Sequence, residues 1–448
     1  MSPNVTGRLK LSMSVDNPFF HRGAIRRARD FHGRQNETEQ ILGLLRNSQS
    51  VSLIGPRRIG KSSQLLHLLR DQVRQPYGLQ SPNCLFLLID CQELGGSPPE
   101  EVYDALLTGL LDAAAGMEVG AVSQRGTYHA LDRALNNITQ AGAAVVVLLD
   151  EFELLAANEQ LTPYFFARLR GLTTKYGLSY VTASQKPLFA ITADEKILSS
   201  PFFNIFVTLP LGLYSHEEAT SLLAERLQGT EITFPDELRE RLVRFVGPHP
   251  FFLHIAGYHA YQQIQQNDDQ YEASLWPQIE NAVEMEAASH LNYIWQNLST
   301  DEQYALAIAD GPVDNLRLLE QQCLLIPNDR GHQYASVMLH RFVRRQDVDG
   351  ILQAGPFVID PNRHQVKAYG QEMSLTTSQF NIMRCLVENA GNVVHGEQLE
   401  EAVWGESLRD DPDRLKTLIK RLRRALEPHG NWVVSERGVG YALRAPED

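Results

Sequence analysis

Short, continuous apolar runs alternate with amphipathic stretches over the first half of the chain. Val51–Ile54, Leu85–Ile89, Val145–Leu149 and Leu178–Ala183 are bounded by polar or turn-forming residues, and Phe203–Leu209 reads as a fifth such run. Runs of this length without polar alternation predict strands buried on both faces. Between them, Pro99–Ala115 and Tyr164–Tyr176 carry apolar residues at helical spacing. The alternation predicts a parallel sheet with helices on both sides. After Pro210 the pattern turns helical: Ser215-His-Glu-Glu218 is a capping-box signature for a helix through Leu227, followed by Pro235–Phe245 and Pro250–Gln266. The polar run Gln265–Gln270 reads as a connector. Residues 271–348 read as further helices, one opened by Thr300-Asp-Glu-Gln303 as a capping box, ending in a wing-like segment over Tyr334–Phe342. Leu352–Leu443 reads as a separate module. Residues 1–25, polar and broken by Asn17-Pro18 and Gly23, read as an arm.

The first strand leads into Gly55-Pro-Arg-Arg-Ile-Gly-Lys61-Ser62, which fits G-x-x-x-x-G-K-[ST], and a helical pattern, Ser63–Arg70, follows. Glycines let the backbone curl so that its N–H groups face a phosphate at a helix N-terminus. Lys61 is placed to reach β/γ oxygens, and Ser62 to hold Mg²⁺. The set expected around the nucleotide is Gly55, Arg57, Arg58, Ile59, Gly60, Lys61, Ser62 and Ser63. The third strand ends in Asp150-Glu151. A carboxylate at that edge can hold the Mg²⁺ shell, and the next can polarise a water for attack on the γ-phosphate. Asp150 is therefore read as a metal-site residue with Ser62, and Glu151 as the base. At the tip of the fourth strand Ser184, with Thr182 as the alternative, is placed to contact the γ-phosphate or the water. Arg168 and Arg170 lie on the helix between the third and fourth strands; one of them serves a neighbouring subunit as an arginine finger, or both belong to a solvated face.

The length of 448 residues suits about three domains. No apolar run approaches the ~18 residues of a membrane span, and the N-terminus lacks an apolar signal core. Cys84, Cys91, Cys323 and Cys385 form no C-x-x-C pair. That argues against disulfides and zinc and fits a reducing cytoplasm. The net charge of −13 argues against a nonspecific nucleic-acid coat. Its distribution changes the picture. From Asp411-Pro412-Asp413, with Asp411 as the expected N-cap, Leu415, Leu418, Ile419, Leu422 and Leu426 form one buried helical stripe. The other faces carry Arg414, Lys416, Lys420, Arg421, Arg423 and Arg424 with no acidic residue between 414 and 424. A one-sided cationic helix on an acidic protein is the footprint of a nucleic-acid reader. Val433–Tyr441 reads as a hairpin with Arg437 near its tip.

Phe31-His-Gly33-Arg34, the phosphate loop, Leu149-Asp-Glu151 and Val246-Gly-Pro-His249-Pro250-Phe-Phe-Leu together resemble the STAND/archaeal-type ATPases, signalling relatives of the AAA+ group, over roughly residues 25–345. The resemblance implies ATP as the nucleotide, with Phe31 and Arg34 bordering adenine and Pro250 approaching from a lid. Pro248 splits the usual Gly-His-Pro of that lid. It also implies a winged helix after the lid, over Ile294–Glu302, Leu316–Leu325 and the wing-like segment, which is read as a clamp because Asp314–Leu325 offers only Arg317 as a cation. Gly355–Leu443 resembles the OmpR/PhoB-type winged-helix DNA-binding domain, on Leu375–Phe380, Gly391–Val394, Leu399, Val403-Trp-Gly405, Arg421-Leu-Arg423 and Arg437-Gly-Val-Gly-Tyr441. That resemblance implies DNA contacts from Arg414, Thr417, Lys420, Arg421, Arg424 and Arg437, with Arg421 or Arg423 held back for the framework.

The expected architecture is multidomain α/β plus α: an arm (1–25), a P-loop parallel-sheet core (26–210), a helical lid (211–270), a middle winged helix (271–348) and a C-terminal α+β winged helix (352–445). The expected function is an ATP-binding and hydrolysing switch controlling a sequence-specific DNA-binding domain, a cytoplasmic transcription regulator. The alternatives are a DNA-handling AAA+ ATPase (a loader, or a replication or transposition initiator) and a ligand-triggered STAND stress or defence switch. Expected partners are double-stranded DNA, a further copy of the chain in the ATP state, and a protein or small-molecule trigger, with no membrane.

Overall fold

The computed structural model describes residues 17–19, 23–117, 125–191, 201–329, 331–348, 350–405 and 412–446. The chain divides into two compact units, Met1–Glu286 and Ala287–Asp448.

In the first unit, β1 (Ser50–Ile54), β2 (Cys84–Asp90), β3 (Ala144–Asp150), β4 (Ser179–Ser184) and β5 (Phe206–Pro210) form one parallel sheet in the order β2-β3-β4-β1-β5. The apolar runs are strands because both faces are covered: all five residues of β1 and all six of β4 are buried. The helices Pro99–Ala113, Tyr128–Gln140 and Pro163–Tyr176 pack their apolar sides into one core with β2 and β3. Crossing from β1 to β4 sets the ends of β1 and β3 on either side of β4, and this brings the phosphate loop and Asp150-Glu151 to the same sheet edge. Beyond β5 lie the lid helices α1 (His216–Glu225), α2 (Asp236–Val246) and α3 (Pro250–Gln266). Ser215 and Glu218 form the expected capping box on α1. No helix among the described residues is long and apolar enough to cross a membrane.

The second unit holds two small α+β modules. In the first of them the capping box falls on Ser299 and Glu302, one residue before the expected Thr300 and Gln303, because the Ser299 hydroxyl accepts from the Glu302 amide. The next helix is Val313–Gln321 and does not reach Leu325; Cys323, at φ +58°, turns the chain out of it. The wing is the antiparallel hairpin Leu325–Asn328 with Gly331–Tyr334, turned through Gly331 at φ +125°, and not the expected Tyr334–Phe342. Ser336 then caps a helix over Val337–Val343. In the second module, Leu352–Ala354, Phe357–Asp360, Gln365–Ala368 and Gln371–Glu372 form an antiparallel sheet that the sequence pattern did not reveal. Helices Thr377–Glu388, Gly396–Trp404 and α4 (Pro412–Ala425) follow, with a three-stranded sheet in which β6 (Val433–Glu436) and β7 (Gly440–Leu443) are the hairpin. The expected N-cap of α4, Asp411, lies outside the described residues.

Among the described residues, polar contacts from Tyr304, Lys367 and Arg344 join these modules. Tyr304 donates its hydroxyl proton to the Asp360 carboxylate, Lys367 Nζ donates to Ile308 O at 3.0 Å and Asp310 Oδ2 at 3.1 Å, and the Arg344 guanidinium donates to the carbonyls of Gly355 and Phe357.

Candidate functional site

After β1 the chain turns through Gly55–Gly60 into a helix that begins at Lys61. Two positions there need glycine. A Cβ on Gly55 would stand 2.4 Å from the Leu211 carbonyl oxygen, and Gly60 has φ +107°. The result is a curled backbone at a helix N-terminus, where amide N–H groups and the helix dipole favour a phosphate. Lys61 is 5% exposed. Its Nζ donates to Gly55 O at 2.8 Å and Pro56 O at 3.1 Å. Burial lowers its pKa, and the carboxylates of Glu151, Glu153 and Asp150 oppose that shift.

Ser62 opens the loop helix close enough to the Asp150 carboxylate, at the end of β3, for its hydroxyl to favour the charged form of that carboxylate. Burial pushes the Asp150 pKa up, the Ser62 bond pulls it down, and Glu151 pushes it up again. Glu151 sits at φ +48°, a left-handed conformation at the start of the helix Phe152–Ala156. Its pKa is raised by burial and by repulsion from Glu153, against the attraction of Lys61. A serine hydroxyl beside a carboxylate at a phosphate cradle is an all-oxygen donor set, which suits Mg²⁺ with phosphate and water completing the shell. The cradle and these donors fit a magnesium–nucleotide.

A cleft of about 400 Å³ adjoins the loop. Of the expected residues it is lined by Phe31, Arg34, Arg57, Arg58, Ile59, Gly60, Lys61, Ser62, Ser63, Glu151 and Pro250. Phe31 stacks on His67 with ring centroids 3.8 Å apart and planes 9° apart. Burial, and then Arg70, lower the His67 pKa to about 4. At neutral pH the pair is uncharged, and Phe31, which lines the cleft with His67 behind it, is the kind of aromatic surface on which a nucleobase stacks. Arg34 is 3% exposed, and its guanidinium faces protein oxygens: Nη2 donates to Gly212 O at 2.5 Å and Ile59 O at 3.3 Å, and Nη1 to Glu37 Oε1 at 2.9 Å. Pro250 is the first residue of α3, and Arg58 lies 4.7 Å over the neighbouring Phe251 ring.

Ser184 lies at the tip of β4, where its carbonyl accepts from the Gly55 amide at 3.2 Å. It is buried at the end of β4, its Oγ donates to Lys186 O at 2.8 Å, and it is not among the cleft-lining residues. The alternative, Thr182, is fully buried in register with Ser52. Arg168 is held in an aromatic sandwich, 4.8 Å over Tyr128 and 4.5 Å over Tyr164, whereas Arg170 is exposed.

Sequence reasoning missed His67, Tyr214 and Glu218. The Glu218 carboxylate accepts from the Arg34 amide at 2.8 Å and from the Ser215 amide at 2.8 Å. Burial alone would raise its pKa; these bonds outweigh that and hold it below the usual range. Tyr214, in the cleft wall, donates to His32 O at 3.0 Å. The Phe31–Arg34 segment is thus bolted to lid helix α1 as well as to the loop. Only the Ser215/Glu218 tetrad was visible locally, and its second task depends on contacts 184 residues apart.

In the second unit, Leu415, Ile419, Leu422 and Leu426 are buried on one side of α4. Arg414, Thr417, Lys420, Arg421 and Arg424 are exposed on the others, and Arg437 is exposed at the hairpin turn. Arg423 resolves the framework question. Its Nε donates to Val433 O at 2.8 Å and its Nη2 to Ser435 Oγ at 2.7 Å, tying helix to hairpin. Arg414 packs 4.6 Å over the Trp404 ring. Gly440 lets β7 lie against its neighbour: a Cβ there would meet Val394 O at 1.9 Å.

Residues 36–311 match the family described as novel STAND NTPase 2, and residues 370–443 match the family of transcriptional regulatory protein C-terminal domains. The Sensory transduction protein RegX3 of Mycolicibacterium smegmatis is 36% identical over 98 residues, which are 21% of this chain and 43% of that protein. The Response regulator ArlR of Staphylococcus aureus is 30% identical over 108 residues, 24% of this chain and 49% of that one. The chain therefore spans less than half the length of these curated relatives. Among solved structures, the Walker-type ATPase PABY2304 of Pyrococcus abyssi aligns with a TM-score of 0.54 at 16% identity, covering 73% of this chain and 99% of that one. The Aeropyrum pernix ORC2 protein, solved as ADPNP–ADP complexes, aligns with a TM-score of 0.50 at 13% identity, covering 74% and 97%. These two likenesses concern the fold.

Proposed function

We propose that this chain, which belongs to the novel STAND NTPase 2 family, is an ATP-binding and ATP-hydrolysing switch whose nucleotide state sets how its C-terminal winged helix engages a specific DNA sequence. The observation that carries the reading is the pairing, in one polypeptide, of a complete phosphate cradle with an exposed cationic helix on a transcription-regulator domain. In this reading residues 26–210 are the NTPase core, 211–270 the lid, 271–348 the middle winged helix and 352–445 the DNA-reading domain.

At the cleft, Lys61 and the loop amides hold the β/γ-phosphates, and Ser62 and Asp150 are the residues that would hold Mg²⁺. Bound Mg²⁺ neutralises charge on the phosphate oxygens. Glu151 accepts the proton of the attacking water; its raised pKa makes it a stronger base than an ordinary carboxylate. Phe31, with His67 behind it, receives the adenine face. Arg34 fixes the loop by its carbonyl bonds and does not need to touch the nucleotide. Ser184 acts on the site through the strand end that it steadies. In the second unit, Arg414, Thr417, Lys420, Arg421 and Arg424 face the major groove and Arg437 reaches the minor groove, while Arg423 keeps helix and hairpin in register.

A nucleotide shifts such an equilibrium only by binding the two states differently. Duplex binding is to be measured with ATP, a non-hydrolysable analogue, ADP and no nucleotide. Identical affinity and stoichiometry in all four refutes the switch.

A further inference from the structure

Among the described residues, the N-terminal arm packs against the rest of the first unit at the lid and beside the phosphate loop. Phe19 is 2% exposed within the lid. It stacks on Phe234 with centroids 5.7 Å apart and planes 5° apart, and His254 meets it edge-on at 6.3 Å. It occupies a notch over lid helix α3 that exists because residue 257 is glycine: a Cβ there would stand 2.5 Å from the Phe19 ring. Glycine is a poor helix former, so its place inside α3 is explained by the ring above it. Asn17 secures the plug, donating from Nδ2 to Tyr258 O at 2.9 Å and accepting the Phe19 amide at 3.0 Å.

Six residues later the arm is anchored on the phosphate-loop helix. The Ile25 amide donates to Ser63 Oγ at 3.0 Å, and the Arg26 carbonyl accepts from Arg70 Nη2 at 2.9 Å. Gly23, Ala24 and Ile25 line the nucleotide cleft. Six residues span at most roughly 20 Å. A lid that swings away from the core must therefore draw Phe19 out of its notch or pull on the residues that wall the cleft.

We propose that Asn17–Phe19, plugged into the lid, and Gly23–Ile25, at the wall of the nucleotide cleft, tie lid and cleft together as a strap through the chain that joins them, with Phe19 as a positioning residue that slows nucleotide release. Phe19 acts through the lid, where it meets the cleft-lining His254, and through the wall at Gly23–Ile25. The proposal rests on reading the cleft as the nucleotide site.

The notch gives a test in which one substitution cancels another. Release of an N-methylanthraniloyl ATP and of the matching ADP analogue is timed by stopped flow from the full chain, in the wild type and in F19A, G257A, F19L and the F19A/G257A pair. Thermal melts without nucleotide are recorded alongside. F19A and G257A are each expected to speed release about tenfold, equivalent to about 1.4 kcal/mol, with F19L between them and the wild type. The pair is expected to match F19A within about twofold, because the added methyl group acts only by expelling a ring that is already gone. Absence of analogue binding to the wild type overturns the nucleotide reading and the strap with it. Normal binding with release unchanged in F19A and G257A overturns the strap alone, as does a pair whose effects add. If F19A melts below the assay temperature, F19L and G257A carry the test, and unchanged release in both overturns the proposal.

Discussion

Arg423 and Arg424 are adjacent in sequence, and single substitutions are expected to separate their roles. Arg424→Ala and Lys420→Ala each remove a cation from the exposed face of α4. One phosphate contact contributes a slope of about −0.9 in log affinity against log salt. Between 50 and 200 mM salt, each variant should therefore lose about 3.5-fold less affinity than the wild type loses. Arg423→Ala instead removes two charge-assisted bonds, to Val433 O at 2.8 Å and Ser435 Oγ at 2.7 Å. Such bonds contribute roughly 1.5–3 kcal/mol each, and a half-buried side chain belongs at the lower end, so the pair should cost about 2–3 kcal/mol. For a module of this size that lowers the melting temperature by roughly 10 °C or more. The salt slope should be unchanged, because Arg423 faces the hairpin. Anisotropy of a labelled duplex, selected from random sequence with the wild-type protein, gives the slopes; melts of the same preparations give the stability. The reasoning is refuted if Arg423→Ala flattens the slope and leaves the melt alone, or if Arg424→Ala and Lys420→Ala both leave the slope intact.

Lys61→Ala should abolish binding of a fluorescent ATP analogue while the C-terminal domain stays folded and competent to bind DNA, with an affinity that no longer responds to added nucleotide; retained nucleotide binding would exclude the loop as the cradle. Glu151→Gln should keep ATP bound and slow turnover by about 10²–10⁴-fold, the range for a general base; a rate within tenfold of the wild type excludes the assignment. The raised Glu151 pKa fixes two signs. Turnover should fall with decreasing pH through a value above the ordinary carboxylate range, and Glu153→Gln, which removes the repelling charge, should move that limb to lower pH. Because the folded pKa is raised, the associated stability is present at low pH and is lost as pH rises through that pKa, so Glu151→Gln should raise the melting temperature at neutral pH. Arg168→Ala should lower stability by about 1–2 kcal/mol through its two aromatic contacts, whereas Arg170→Ala should leave the melt unchanged; if Arg170 serves a neighbouring copy, its loss shows only in turnover of the assembled protein.

The parallel sheet and its loop were legible because their signals are local. A buried strand, a glycine-lysine-serine turn and a strand ending in two carboxylates each announce themselves within a few residues. The stripe Leu415–Leu426 and the cations around it are equally local, and the helix lies where the stripe requires. What escaped depends on distance. His67 is one more polar residue on a helix until Phe31 stacks on it. Arg34 is marked by its motif as a cleft residue, but that its guanidinium also holds Gly212 O and Ile59 O shows only in three dimensions. Where two local signals competed, as at Ser299 and Thr300, both tetrads are capping boxes by composition, and only backbone geometry chose Ser299. The wing was misplaced because a short hairpin around Pro327 and Gly331 has little apolar alternation to mark it.

The contacts of Tyr304 with Asp360, Lys367 with Asp310, and Arg344 with Gly355 and Phe357 have a bearing on how DNA sites can be arranged. A reader on a flexible tether tolerates many distances between repeated half-sites, because the tether only sets an effective concentration. A reader jointed to its neighbour by several polar bonds carries its orientation with it. Two copies that pair on DNA through the first module would then accept half-sites at one helical phase and reject insertions of half a turn. Cutting the joint with Lys367→Met and Tyr304→Phe should broaden the accepted spacing without altering which bases are read.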